Sequence, residues 1–242
     1  MNRIKLLISP KNLEEAKIVI EGKADYIDCK NPKEGSLGAN FPWIIKGMKE
    51  LIPKNSNQLL SATIGDFPNL PGSASLAALG AVVSGADIVK VGLKGPKNEK
   101  EGIKLMEKVV KAVKNYNKNA LVVAAGYADK KRINYAPEVL SIPTIAAKSN
   151  SDIAMVDTFI KDGKGLFDFL DIETIKEFTE KAHDLNLQVA LAGSLKLKDI
   201  KKIKKIKPDI IGVRSLVCEG FDRDRGKIKS DLISILRNEL YA

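Results

Sequence analysis

The sequence predicts a single-domain (β/α)8 barrel over residues 1–242, and three observations carry that expectation. Short apolar segments with strand character alternate eight times with longer helical segments in 242 residues; about 250 residues is ordinary for such a barrel. There is no Gly-x-Gly-x-x-Gly after the first strand and no Walker loop, which lowers the alternative of a doubly wound open sheet. The even-numbered strands also share a start: Ala24-Asp25, Ala86-Asp87, Ser151-Asp152 and Pro208-Asp209.

The elements follow in order. Residues 5–10 read as the first strand, and Asn12 is placed to cap the helix behind it, with Glu15 in capping-box position. Residues 24–30 read as the second strand. Alternation sets Tyr26, Asp28 and Lys30 on one face, and Asp25, Ile27 and Cys29 on the other. Asn31, Pro32, Gly35 and Gly38 then make a loop, and Pro42 opens the second helix. The third strand is 59–65, and the Ala-rich helix 73–84 should pack closely. Strand 87–93, helix 99–117 and strand 120–127 come next. The fifth helix is expected around 145–149, with Pro137 and Pro143 making the chain ahead of it irregular. Strand 152–158, helix 172–185, strand 187–193, helix 198–206 and strand 209–214 complete the barrel. A tail helix runs from Lys227 onward, with Ile228, Leu232, Ile235 and Leu236 as its apolar stripe. No linker or low-complexity tract interrupts the series.

Composition narrows the chemistry. No apolar run reaches the ~18 residues of a membrane span, and the apolar run within residues 1–10 is too short for a signal peptide. The expectation is a soluble, cytoplasmic protein. Cys29 and Cys218 lie far apart and His183 is the one histidine, so neither a disulfide scaffold nor a metal site is expected, and a Ser-His-Asp triad is improbable. The net charge of +10 fits a nucleic acid or an anionic small substrate. The lysines between 196 and 207 have no interleaved aromatics and read as a solvated helix face. Phosphorylated metabolites need no further surface.

The shared start of the even strands fixes a common phase. Three residues beyond each Asp stand Asp28, Lys90, Met155 and Gly212; five beyond stand Lys30, Gly92, Asp157 and Arg214. Alternate strands of a barrel fill the same interior layers. Asp28, Lys30, Lys90, Asp157 and Arg214 should therefore converge at the C-terminal mouth. Taken alone, Asp28 and Lys30 could be a surface ion pair on an edge strand, and the whole set could be a structural ion network, but such networks are costly to desolvate. A lysine partly buried beside another lysine loses basicity and can attack a carbonyl to form a Schiff base. Lys30 and Lys90 are the amine pair, with Asp28 and Asp157 to hold ammoniums or carry protons. The segment after the sixth strand, with Lys161, Asp162, Gly163, Lys164 and Gly165, is long enough for a lid. Gly193, Ser194, Gly212, Arg214 and Ser215 end the last two strands, where barrels often bind phosphate, and Arg214 and Arg223 can add charge-assisted bonds.

Asp28-Cys-Lys30-Asn-Pro-Lys-Glu-Gly-Ser-Leu-Gly-Ala-Asn-Phe-Pro-Trp43 resembles the signature of the (5-formylfuran-3-yl)methyl phosphate synthase family of archaeal methanofuran biosynthesis. Ser61-Ala-Thr-Ile-Gly-Asp66, Ser84-Gly-Ala-Asp-Ile-Val-Lys-Val-Gly-Leu93, Val123-Ala-Ala-Gly-Tyr-Ala-Asp129, Asp157-Thr-Phe-Ile-Lys-Asp-Gly163, Ala190-Leu-Ala-Gly-Ser194 and Gly212-Val-Arg214 extend the resemblance along nearly the whole chain. It implies a (β/α)8 barrel that joins two glyceraldehyde 3-phosphate molecules into a phosphorylated furan aldehyde, losing phosphate and water, with no cofactor. It further implies Lys30 as the Schiff-base lysine and Lys90 as proton acceptor, with Asp28, Asp157 and Lys161 as further active-site residues. The expected partner is a small phosphorylated triose, with neither nucleic acid nor membrane, and a homo-oligomer is compatible. Another Schiff-base aldolase acting on a sugar phosphate is the alternative enzyme, and a basic nucleic-acid-binding module is the alternative outside catalysis.

Overall fold

Eight parallel strands close in sequence order into a barrel, in a computed structural model that describes residues 3–241. The strands are β1 (Lys5–Ile8), β2 (Tyr26–Cys29), β3 (Leu59–Asp66), β4 (Ile88–Gly92), β5 (Leu121–Tyr127), β6 (Ile153–Asp157), β7 (Gln188–Leu191) and β8 (Ile210–Val213). The closing pair aligns Lys5 with Ile210 and Ile8 with Val213. Outside the strands lie α1 (Leu13–Glu21), α2 (Pro42–Leu51), α3 (Pro71–Val83), α4 (Glu99–Tyr116), α5 (Ile142–Lys148), α6 (Leu166–Phe169), α7 (Ile172–Asp184), α8 (Ile200–Ile206) and α9 (Ser230–Tyr241). Among the described residues no helix is long and apolar enough to cross a membrane. Met1, Asn2 and Ala242, the last of them the end of the tail segment read from the sequence, lie outside the described residues.

Strand alternation divides the apolar residues into two bodies. Ile27, Val89, Val122, Val156 and Ile211 face outward and pack under the helices. Tyr26, Ile88, Ile153 and Ile210 fill the barrel interior, one from each even strand at the same height. The charged residues of the even strands lie above that layer, so they reach the C-terminal mouth over a dry floor.

The repeated Asp has a structural duty at the opposite end. Asp25, Asp87, Asp152 and Asp209 accept the backbone N–H groups of Leu6, Leu60, Val122 and Val189 at 2.7–2.8 Å. Each carboxylate thus secures the strand preceding its own. Each also meets a cation or imidazole: Arg3, just ahead of β1, and Lys49, Lys114 and His183 from the helices. Four equivalent ties at the bottom hold the even strands at one height, and that common height is what makes counting forward from Asp meaningful at the top.

Three local expectations change. The fifth helix begins at Ile142, ahead of the expected 145, and Pro143 lies in its first turn. A first-turn N–H has no partner inside the helix, so proline fits there without loss. A separate turn of helix, α6, stands before α7. The buried face of α9 is Ile233, Leu236 and Leu240, while Ile235 is about half exposed. Ile228 lies before the helix, bridged to Cys218, so the stripe runs through 233, 236 and 240 at helical spacing and not through 228 and 235. In α8, Ile200, Ile203 and Ile206 are buried, and Lys201, Lys202 and Lys205 remain exposed on the other side.

Candidate active site

Lys30 stands just past the end of β2, and Asp28 points inward two residues below it. Lys90 comes from β4, Asp157 from the end of β6, and Lys161 from the loop that follows. Five strands and their loops thus bring three amines and two carboxylates into one pocket with Met155, Gly193, Ser194, Gly212, Arg214 and Ser215. All the sequence-expected site residues meet there.

The geometry pairs the charges unequally. Lys90 Nζ donates to Asp28 Oδ1 at 2.8 Å, with both side chains fully buried. The other oxygen of Asp28 accepts the Ser9 hydroxyl at 2.8 Å. Lys161 Nζ donates to Asp157 Oδ1 at 2.6 Å and to Thr158 Oγ1 at 3.1 Å. Each carboxylate therefore has its own ammonium. Among the described residues Lys30 makes no ion pair, although it is 9% exposed.

Acid–base properties follow from that arrangement. Burial is the largest influence on Lys30 and pulls its amine down to about 8; Asp28 and Asp157 oppose the shift, while Lys161 and Lys90 reinforce it. The repulsion between lysines expected from the sequence is present but subordinate to burial. Burial would raise Asp157, but Lys161 and Lys30 overcome it and hold the carboxyl at about 2. Asp28 is likewise lowered against burial by Lys90 and Lys30. Near neutral pH the pocket holds two carboxylates and, in Lys30, one amine that can shed its proton.

The loop after β2 covers one side of the mouth. Leu37 is fully buried in the interior cluster with Tyr127. Thr63 Oγ1 donates to the Gly38 carbonyl at 2.6 Å, and Leu37 N–H donates to Asp66, which also accepts Tyr127 OH. Gly38 has no room for a side chain, because a Cβ there would strike the carbonyl of Asn31. Burial raises the Asp66 carboxyl. Ser36 Oγ donates to the Thr158 carbonyl at 2.9 Å, joining the Lys30 loop to the Lys161 loop. The latter loop, expected as a lid, is tied at its start: the Asp129 carboxylate accepts Phe159 N–H at 2.6 Å and Ile160 N–H at 2.9 Å.

Arg214 lies at the rim, but its guanidinium faces Glu15, which it meets at 2.8 Å, and the Ser9 carbonyl, at 2.7 Å. Glu15 makes half of the expected capping box: Asn12 accepts Glu15 N–H, while the Glu15 carboxylate takes Lys11 N–H and Arg214 instead of the Asn12 N–H. Gly212 lies within β8 and lines the pocket without a side chain. Sequence reasoning passed over Ser9, Glu15, Ser36 and the Asp66–Tyr127 pair as site residues. Ser9 was accessible through strand alternation from Leu7; the other partners become neighbours only in the closed barrel. Among the described residues no group of three or more His, Cys, Asp or Glu side chains is placed to hold a metal ion.

A family model described as 4-HFC-P synthase matches residues 6–237. The chain is 53% identical over 232 residues to the (5-formylfuran-3-yl)methyl phosphate synthase of Methanocaldococcus jannaschii, covering 96% of this chain and 97% of that one. Against the protein of the same name from Methanosarcina barkeri it is 52% identical over 239 residues, with 99% and 100% covered. Among solved structures, KGPDC from Streptococcus mutans superposes with a TM-score of 0.68 at 12% identity, over 99% of this chain and 98% of that one. 3-Hexulose-6-phosphate synthase from Salmonella typhimurium gives 0.66 at 15% identity, over 98% and 99%. At those identities the structures speak to the barrel alone.

Proposed function

The chain belongs to the (5-formylfuran-3-yl)methyl phosphate synthase family, lyase-type synthases of methanofuran biosynthesis, and from that premise we propose that it builds its product through an imine on Lys30. The observation that supports this reading is the uneven pairing of the pocket: among the described residues Lys90 and Lys161 each hold a carboxylate, and Lys30 holds none.

The neutral amine of Lys30 attacks the aldehyde carbon of one glyceraldehyde 3-phosphate, and loss of water leaves the protonated imine. The imine acidifies the adjacent carbon. Lys90, held by Asp28, gives its proton to the hydroxyl that leaves as water; its freed amine then accepts the proton of the adjacent carbon, and the electron pair left on carbon becomes the enamine. The enamine expels phosphate from the next carbon. Lys161, anchored by the Asp157 carboxylate, sits where its amine can pass a proton to departing oxygens and hold negative charge. Condensation with the second triose and loss of water then close the furan, and aromaticity favours the last step. The atoms balance: two C3H7O6P give C6H7O6P, one H3PO4 and two H2O.

The substrate phosphate lies at the rim formed by Gly193, Ser194 and Ser215 above Gly212, with Arg214 bracing that rim. Release of one phosphate for each two trioses consumed, with a furan aldehyde phosphate as the organic product, is the outcome this reading requires. A non-aromatic aldol product retaining both phosphates would replace it with an ordinary Schiff-base aldolase.

A further inference from the structure

We infer that Arg223, and not Arg214, is the cation that recognises the substrate phosphate, and that the Glu15–Arg214 pair is the strut that aims it. The inference rests on the reading of this pocket as the site of a phosphorylated triose.

Arg214 is occupied. Its Nη1 donates to the Ser9 carbonyl at 2.7 Å and to Glu15 Oε2 at 2.8 Å. Its Nη2 reaches Glu15 Oε1 at 3.4 Å, and its Nε donates to the Arg223 carbonyl at 2.8 Å. Both members of the Arg214–Glu15 pair are buried, 7% and 5% exposed. Turning the guanidinium toward a ligand would strand a buried carboxylate whose affinity for protons is already held down by Arg214.

Arg223 has the complementary properties. Its side chain is 19% exposed, and its one ion pair among the described residues is a 3.5 Å contact from Nε to Asp224, which is itself largely exposed. The two terminal nitrogens have no hydrogen-bond partner among the described residues. Arg223 lines the lysine pocket together with Ser194 and Ser215. It also lines an adjoining cleft of about 490 Å3, which shares Lys161, Ser194, Leu195 and Ser215 with that pocket. A planar fork of free donors on a residue that shares one pocket with Ser194, Ser215 and Lys30 is suited to a phosphate monoester dianion.

The strut links both ends of the site. Arg214 fixes the Arg223 backbone through its carbonyl. It fixes Ser9 in the same way, and the Ser9 hydroxyl holds Asp28, the partner of Lys90. Arg214 and Glu15 are positioning residues, set between the phosphate end and the proton-transfer end.

The test compares borohydride trapping of Lys30 by glyceraldehyde 3-phosphate and by unphosphorylated glyceraldehyde. Arg223→Ala should raise the half-trapping concentration of the phosphorylated aldehyde at least about tenfold, with glyceraldehyde changed by less than about twofold, as expected for loss of a charge-assisted contact. Arg223→Lys should recover part of the loss. Glu15→Gln should also raise the value for the phosphorylated aldehyde, but should add little in the Arg223→Ala background, since both act through one guanidinium. Calorimetric titration with inorganic phosphate reads the same contact without passing through Lys30, and Arg223→Ala should weaken that binding. An unchanged ratio between the two aldehydes together with unchanged phosphate affinity would overturn the inference. Absence of trapping in every variant, with phosphate binding still lost in Arg223→Ala, would instead defeat the imine reading and leave the Arg223 assignment standing.

Discussion

Replacing Lys30 with methionine should make the folded protein more stable at pH 7, while removing the group on which turnover depends. The lysine amine is drawn from 10.5 to about 8, with burial the largest cause. At 1.36 kcal/mol per unit, the charged form is disfavoured in the folded state by on the order of 3 kcal/mol. Below pH 8 both folded and unfolded chains carry the proton, so that cost is fully present. Between about 8 and 10.5 the unfolded chain holds the proton more tightly, so wild-type stability rises with pH; above that range the cost is gone. The methionine variant escapes the cost, and neither carboxylate is stranded, because Asp28 keeps Lys90 and Asp157 keeps Lys161. Denaturant unfolding of wild type and Lys30→Met at pH 7 and pH 10 reads the difference directly. The expected gain is about 1–3 kcal/mol at pH 7, allowing for imperfect methionine packing, and it should shrink toward pH 10. A variant less stable than wild type at pH 7, or a gain independent of pH, would refute the assignment of Lys30 as the buried, unpaired amine.

Two charge substitutions should move the trapping pH profile in opposite directions. Asp28→Asn removes the foremost charge holding the Lys30 proton in place, so the midpoint of imine formation should fall below about 8; Lys161→Ala removes a charge that drives the proton off and frees Asp157 to face Lys30, so the midpoint should rise. Initial trapping rates between pH 6 and 10 decide this, and shifts of like sign would contradict the electrostatic account. Glu15→Gln should destabilise the fold by about 3–5 kcal/mol in denaturant titration, because it leaves the Arg214 guanidinium buried without a counter-charge. A loss below about 1 kcal/mol would show that Arg214 finds water or another partner.

The barrel was readable because its repeat is simple: a strand, a helix, and an Asp that begins every second strand. That Asp ties down the preceding strand at the bottom, so residues three and five positions later reach equivalent heights at the top. This is why Asp28, Lys30, Lys90, Asp157 and Arg214 could be assembled by counting. Counting places a Cα and the side of the strand, but not the tip of a long side chain. Arg214 shows the difference: its position is as expected, and its guanidinium has turned toward Glu15 from α1, nearly two hundred residues away. Ion-pair partners set by barrel closure, such as Glu15 with Arg214 or Asp66 with Tyr127, leave no mark at short range. Pro143 misled for a different reason, since proline breaks a helix interior but suits its first turn. In the tail, Ile228 and Ile235 lie seven apart and suggest one face, yet the docked face is the one that packs against the turn Ser215–Val217 and against α1.

The central claim is that Lys30 carries the substrate covalently. Incubation with glyceraldehyde 3-phosphate and borohydride, followed by peptide mass mapping, tests it most directly. A reduced triose adduct on the peptide containing Lys30, absent from Lys30→Met and formed more rapidly as pH rises through about 8, is the predicted result. An adduct confined to Lys90 or Lys161, or none at any lysine in a folded enzyme that still turns over its substrate, would contradict it.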